Sequence, residues 1–392
     1  MNEVCVRLER IMSDVIGQDN AISDVPAVQQ AVDAGGTVVL HGTFNFVNAR
    51  LPAPVGSRVI LVTGAVTILG QDATILGGGS AAPGQQAVFF IDAPGVDIAV
   101  DGLHFVNPHN AAIRVKRSGD LRIANCRVDG VTPSQVATPA GPLNAALATH
   151  LNGGPFGAVS IQKNHFEIGG TADDSVGGII MDGPADRLLI ENNRIIGTTS
   201  HGMDLRNVKG PAQVQRNIVE TGTTGRSGLP GQFVDALRLI GSGEYLVDQN
   251  KFDCGFENAA VVRLGGTQKA VIRQNEIVAS VPDGNLPGQQ SAGVQVQGAA
   301  NDNEILENRI RGRGRVAISV IFSDFQLDKP SDTTGNPSAT KFQGNNVQHF
   351  APTVATVEIG AAATNTTIVG GSGTLIDNGI GTVVEGDFHP PS

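Results

Sequence analysis

Charged side chains are scarce in this 392-residue chain, at 16% of positions, so those that fall into register with one another stand out. Asp182, Asp204, Arg206, Arg238 and Arg263 occupy matching places in a repeated strand pattern, and Lys116 holds the place of Asp182 and Arg206 further upstream. His201, Asp235 and Glu257 stand just before three of these strands. Two arginines stacked one strand apart repel unless an anion lies between or over them. Asp204 and Asp235 can supply that anion from within. A carboxylate-bearing ligand can supply it from outside, because the guanidinium fork binds carboxylates bidentately. Neutralising such a carboxylate acidifies its α-proton, and a base such as His201 can then remove it. Paired carboxylates offer a second chemistry. Glycosidic hydrolysis needs them about 5 Å apart for retention or about 6.5–9.5 Å apart for inversion. Asp182 with Asp204, or Asp204 with Asp235, would meet the longer spacing on adjacent strands. The expected catalytic set is therefore Asp204, Arg238, Arg263, His201 and Asp235, with Arg206, Asp182, Glu257 and Lys116 as binding residues. The competing reading is a row of solvated ion pairs on a β-face, which carries no chemistry.

What must position these residues is a repeat. An apolar residue, two variable ones, Asn, one variable and an apolar residue recur at Asn164, Asn193, Asn217, Asn250, Asn275, Asn308 and Asn345, with LRIANCRV at Asn125 read as the first copy. The spacings run from 24 to 39 residues, as a unit of about two dozen residues with insertions would give. About ten residues upstream of these motifs stand strands of small residues and alternating apolar ones, such as AIRVK from Ala112, AVSIQ from Ala158, GMDLR from Gly202 and ALRLI from Ala236. Period-two alternation marks a strand with one buried face. No single unit can bury that face alone, so the units must stack. The Asn residues are read as structural, both as left-handed corner residues and as rungs of a side-chain ladder. Val115, Ile161, Met181, Leu205, Leu239, Leu264, Val296 and Val320 are expected to form one interior column. The outward row beside it is expected to run Arg114, Ser160, Ile180, Asp204, Arg238, Arg263, Gln295, Ser319 and Glu358, with Lys116, Gln162, Asp182, Arg206, Ile240, Gly265 and Gln297 as a second row.

The helical stripe of Ala27, Val28, Ala31 and Val32 ends at Gly35-Gly36, and TVVLHGTFNF follows as strand. A helix there would cap the open end of a solenoid. The expected organisation is an N-terminal segment and capping helix over 1–35 and a solenoid over 36–385. Insertions are expected at 129–157, 168–177, 220–235, 279–292 and 322–341, emerging from one corner to wall a cleft or to make oligomer contacts.

The capping helix, the GGTVVL strand and the two repeated motifs resemble the pectin-lyase-like superfamily of right-handed parallel β-helices over residues 20–385. That resemblance implies an all-β fold. For function it implies a range: polysaccharide lyases, glycoside hydrolases, uronate epimerases, tailspikes and non-catalytic proteins. The segment ENAAVVRLGGTQ is similar to an Asn-Gly-x-Glu-x-x-Arg-x-Gly strand of one lyase group, but lacks the interior Glu of its calcium site. SHGMD differs from the Gly-His-Gly of polygalacturonases at Ser200, and the epimerase Asp-Pro-His motif is absent. The leading expectation is β-elimination on a uronate-containing glycan. Hydrolysis by paired Asp, tailoring of a small anionic molecule, and a non-catalytic adhesive or fibre role are the alternatives. No cofactor is expected, and Ca²⁺ lacks a convincing ligand set. A homotrimer would fit the superfamily.

Composition narrows the field further. A formal net charge of −10 argues against a general nucleic-acid binder. Cys5, Cys126 and Cys254 are too few and too scattered for a disulfide framework, and read as buried thiols. Charges at Glu3, Arg7, Glu9, Arg10 and Asp14 break any signal-peptide run, and no stretch has the apolar length of a membrane span, so a cytoplasmic location is the default expectation unless an export signal was removed. The absence of Trp and the single Tyr weaken a long glycan groove built on stacking.

Overall fold

The structure, a computed structural model, describes residues 12–47, 60–77, 87–133, 144–149, 153–169, 176–222, 235–241, 243–255, 260–280, 291–321 and 335–389. Its strands pair in parallel, each with the strand about three places along the chain, and the coils stack into a right-handed parallel β-helix. Each full coil contributes one strand to each of three faces. In one coil these are Met203–Arg206, Ala212–Gln215 and Ile218–Thr221; in the next, Leu237–Ile240, Tyr245–Asp248 and Lys251–Cys254.

The N-terminal helix, α1 (Ala21–Ala34), closes one end of the stack. Asn20 caps it by accepting the Ile22 N–H, and Gly35 ends it at φ 72°, where a side chain would be strained. Val25, Val28, Ala31 and Val32 turn into the core. The buried carboxylate of Asp24 accepts main-chain N–H groups from Gln18, Asn20 and Asn45, tying the helix to the first coil.

Val115, Met181, Leu205, Leu239, Leu264, Val296 and Val320 share one register and are all buried in the main core, as their place in the alternation requires. Ile161 does not join them. The segment 129–157 contains the strand Asn144–Thr149, which takes the place expected of Ala158–Gln162 on the first face. Thr149 therefore lies opposite Val115, and Ala148 opposite Arg114. Ser160, Ile161 and Gln162 pair instead with Arg122, Ile123 and Ala124 on the second face. The strands Phe156–Gln162 and Ala145–Ala148 show the same small-apolar alternation, so the pattern alone did not separate the two faces.

The Asn motif folds into a continuous ladder from Asn164 to Asn345. The Asn193 side chain accepts the Asn164 main-chain N–H at 3.0 Å, and its own Nδ2 donates to Asn217 Oδ1 and to the Ile161 carbonyl, both at 2.9 Å. The same contacts repeat at Asn217, Asn250, Asn275 and Asn308. Two corrections follow. The first rung is Cys126 rather than Asn125, since the Cys126 N–H meets Asn164 Oδ1 at 2.9 Å. The left-handed conformation falls on the residue before each rung, namely Asn125, Lys163, Asn192, Arg216, Gln249, Gln274 and Glu307, with φ between 53° and 57°, and Gly344 at φ 65°. The rung itself is chosen for its two-sided hydrogen bonding. Cys126 and Cys254 are buried free thiols.

Candidate functional site

The first face carries the charged residues. Its strands Val176–Asp182, Met203–Arg206, Leu237–Ile240, Ala260–Gly265 and Ala292–Gln297 lie side by side in that order. The register puts Ile180, Asp204, Arg238, Arg263, Gln295, Ser319 and Glu358 in one row, and Asp182, Arg206, Ile240, Gly265 and Gln297 in the next. Alternation sends Leu205, Leu239 and Leu264 into the core and these side chains to the opposite face.

That opposite face is not a solvated surface. Asp204, Arg238, Arg263 and Asp235 retain 1%, 3%, 2% and 0% of their exposure, and His201 retains 7%. The competing reading of a row of solvated ion pairs is thus overturned, and the outward charged patch is corrected to a buried ion network. Buried charges persist only when paired and hydrogen-bonded, and these are. Arg238 grips Asp204 from the next coil, Nε donating to Oδ1 at 3.0 Å and Nη2 to Oδ2 at 2.5 Å. Arg206 binds the same carboxylate from its own strand at 2.9 Å through Nε and at 2.7 Å through Nη2. Arg263 holds Asp235 through Nε at 3.0 and 3.1 Å and reaches across to the side-chain carbonyls of Gln295 and Gln297. Asp235 also accepts the Ala260 N–H at 3.2 Å.

Electrostatics follow from this pairing. Burial alone would raise the Asp204 carboxyl, but Arg206 and Arg238 override it and hold the group well below the usual carboxylate range. The same balance at Asp235, with Arg263 and His201 opposing burial, brings it down to about 2. Burial, reinforced by the charge of Arg238, lowers His201 from its ordinary 6.5 and favours the neutral ring. His201 Nδ1 accepts the Asp235 main-chain N–H at 3.2 Å, and it lies 3.5 Å from Asp235 Oδ2, which it meets as a donor only when Nδ1 carries a proton. Among the described residues Nε2 makes no hydrogen bond.

The remaining candidates divide. Asp182 is buried beside Arg206 in register; its carboxylate accepts from Asn207 Nδ2 at 3.0 Å, and its N–H donates to Thr149 Oγ1 at 2.6 Å. Lys116 lies apart, turned to Asp92 at 3.0 Å in a half-exposed cluster with Arg117. Glu257 lies outside the described residues. Gln295 and Gln297, not counted in the site by residue type, complete the shell of Arg263; their place in the two outward rows was the available signal. Arg114 is separated from Asp204 by Ala148 and Ile180, and burial lowers it to about 10. Among the described residues no group of three or more His, Cys, Asp or Glu side chains is placed to hold a metal ion, and no helix is long and apolar enough to cross a membrane.

Fold and site together define a right-handed parallel β-helix carrying a buried His-Asp-Arg network on one face. No family model and no curated protein matches the sequence. Among solved structures, the chain is similar to the A-module of a mannuronan C-5 epimerase from Azotobacter vinelandii, at 15% identity and TM-score 0.46 over 96% of this chain and 98% of that one. It is also similar to tailspike protein 3 of bacteriophage CBA120, at 10% identity and TM-score 0.48 over 96% of this chain and 58% of that one. A surface adhesin of Streptococcus pneumoniae follows, at 12% identity and TM-score 0.43 over 87% and 91%. Likenesses this distant bear on the fold alone.

Proposed function

We propose that the protein is a carbohydrate-active enzyme that removes the proton α to the carboxylate of a uronate sugar; the electron pair left behind forms the ring double bond as the β C–O bond to the leaving sugar breaks, and the departing oxygen takes a proton from solvent. The observation that carries this reading is His201. Its Nδ1 edge is anchored on Asp235, whose carboxylate is in turn fixed by Arg263, while Nε2 makes no hydrogen bond among the described residues. In the tautomer that carries its proton on Nδ1, facing Asp235 Oδ2 at 3.5 Å instead of accepting the Asp235 N–H, Nε2 holds a lone pair and is suited to accept a proton, because the carboxylate stabilises the imidazolium that forms. Arg206 is the most exposed of the three arginines, its side chain at 22% against 4% for Arg238 and 3% for Arg263. It is the group placed to receive a substrate carboxylate and to draw charge from the α-carbon. Asp204 and Arg238 then position Arg206 and exclude water.

The site favours proton abstraction over hydrolysis by paired aspartates. An inverting or retaining pair needs one carboxyl that stays protonated as the acid. Asp204 and Asp235 are both held in the charged form. The test is a screen of purified protein against uronate polymers, followed by ultraviolet absorbance of the unsaturated product. Absorbance should rise with the wild-type protein and fall by about 10²-fold or more with His201→Gln. Release of reducing ends without new absorbance would indicate hydrolysis and overturn the reading.

A further inference from the structure

The third face carries a charge pattern unrelated to the candidate site. Six consecutive strands there are His104–Val106, Arg127–Asp129, His165–Glu167, Arg194–Thr198, Ile218–Thr221 and Lys251–Cys254. Their middle residues point into the core, and the residues on either side point out. One outward row reads His104, Arg127, His165, Arg194, Ile218, Lys251, with no acidic residue. The row beside it reads Val106, Asp129, Glu167, Ile196, Glu220, Asp253, with no basic residue. The segregation spans these six coils and ends there, since Glu276 follows Lys251 in the first row and Val278 and Arg311 follow Asp253 in the second.

Pairing within the chain does not account for this segregation. Every basic residue of the strip has an acidic partner across the rows: His104 and Arg127 meet Asp129 at 2.8 and 2.7 Å, His165 meets Glu167 at 3.9 Å, and Lys251 and Arg194 meet Glu220 at 3.2 and 3.8 Å. But an alternating arrangement would place unlike charges together both across and along the rows. Segregation instead stacks like charges along the axis, about 4.8 Å apart. Side-chain exposures of 51% for Arg127, 44% for Arg194 and 61% for Glu167 leave these groups open to a partner.

We infer that this face docks on the same face of a second copy of the chain, about a two-fold axis parallel to the solenoid axis. That operation exchanges the rows, so the basic row of each copy lies over the acidic row of the other. A two-fold perpendicular to the solenoid axis would set like rows on one another. An interface of this kind is isologous, and the pattern is self-complementary for one orientation only. A linear polyanion lying on the basic row would run beside four carboxylates, and is disfavoured by the same geometry. The strip is short and polar, so the dimer should be weak and sensitive to salt.

The test is sedimentation of the full chain. Wild type should dimerise at ~0.01 M salt, with a dissociation constant at least about tenfold larger at ~1 M salt. A basic-row variant, Arg127→Glu, Arg194→Glu, Lys251→Glu, should be monomeric alone, as should an acidic-row variant, Asp129→Lys, Glu167→Lys, Glu220→Lys. Mixed together, the two should form a one-to-one dimer. Circular dichroism checks folding, and Arg127→Gln, Arg194→Gln, Lys251→Gln serves as a milder substitute expected to weaken the dimer. A wild type that stays monomeric or forms trimers at low salt, a dimer that survives in either row variant alone, or folded variants that fail to pair on mixing would each overturn the inference.

Discussion

Arg238 and Asp204 show what burial does to a residue-level reading. The alternation in GMDLR and ALRLI was enough to place them in one row on adjacent strands, and the structure puts them in a two-pronged contact. Their burial was not legible, because a strand pattern states which side chains leave the core and not what covers them afterwards. The consequence is energetic. An exposed arginine contributes little to folding. Removing one partner of a buried pair strands the other, at a cost of about 3–5 kcal/mol. Arg238→Ala should therefore lower stability by that order in urea unfolding, while Asp204→Leu combined with Arg238→Leu should recover much of it; equal stability of Arg238→Ala and wild type would place the pair in solvent. The network also sets a pH dependence. Asp204 and Asp235 are depressed in the folded state, so their stabilisation is complete above the unfolded carboxyl value of 3.8 and is lost as pH falls through the folded value, about 2 for Asp235. His201 is depressed as well, so its neutral form favours folding above 6.5, and that contribution declines as pH drops below it. All three act in one direction. Unfolding free energy should start to fall below about pH 6.5, and His201→Gln should remove the first part of that fall.

At the scale of the element, the Asn rungs were legible because their spacing follows the coil. Their chemistry was half legible. Ladder bonding is observed from Asn164 to Asn345, while the left-handed corner belongs to the preceding residue, which spans types as different as Lys163, Arg216 and Glu307. A position that tolerates such variety leaves no signature. Asn217→Leu or Asn250→Leu should destabilise by about 1–3 kcal/mol, through loss of bonds to both neighbouring coils and a stranded Asn N–H; unchanged unfolding midpoints would remove the ladder from the account. Cys126 marks where the ladder stops. Cys126→Asn should extend it by one rung and raise stability by about 0.5–1.5 kcal/mol, and thermal unfolding would register the gain. The misplacement of Ser160, Ile161 and Gln162 has a physical reason too. The strand Asn144–Thr149 hides in a small-residue stretch, NAALAT, that resembles the sequence before it and carries no charge to mark its outward row.

The whole molecule joins the two scales. A parallel β-helix brings residues one coil apart in sequence into contact, 24 to 39 positions along the Asn motif, so the proposed centre of His201, Arg206, Asp235 and Arg263 can be assembled without a sequence motif. That explains why the fold could be read from period and composition while the chemistry could not: the repeat specifies stacking, and any outward side chain is compatible with it. It also explains why resemblance to proteins of the same architecture leaves the activity open. The central claim is that a proton leaves the α-carbon of a uronate to His201. Nuclear magnetic resonance of uronate oligomers incubated with the protein in heavy water tests this directly. The account predicts loss of the α-proton signal, by exchange or by formation of the unsaturated product, with wild type and not with a folded His201→Gln variant. An α-proton signal that persists with wild type, or disappears equally fast with the variant, would contradict it.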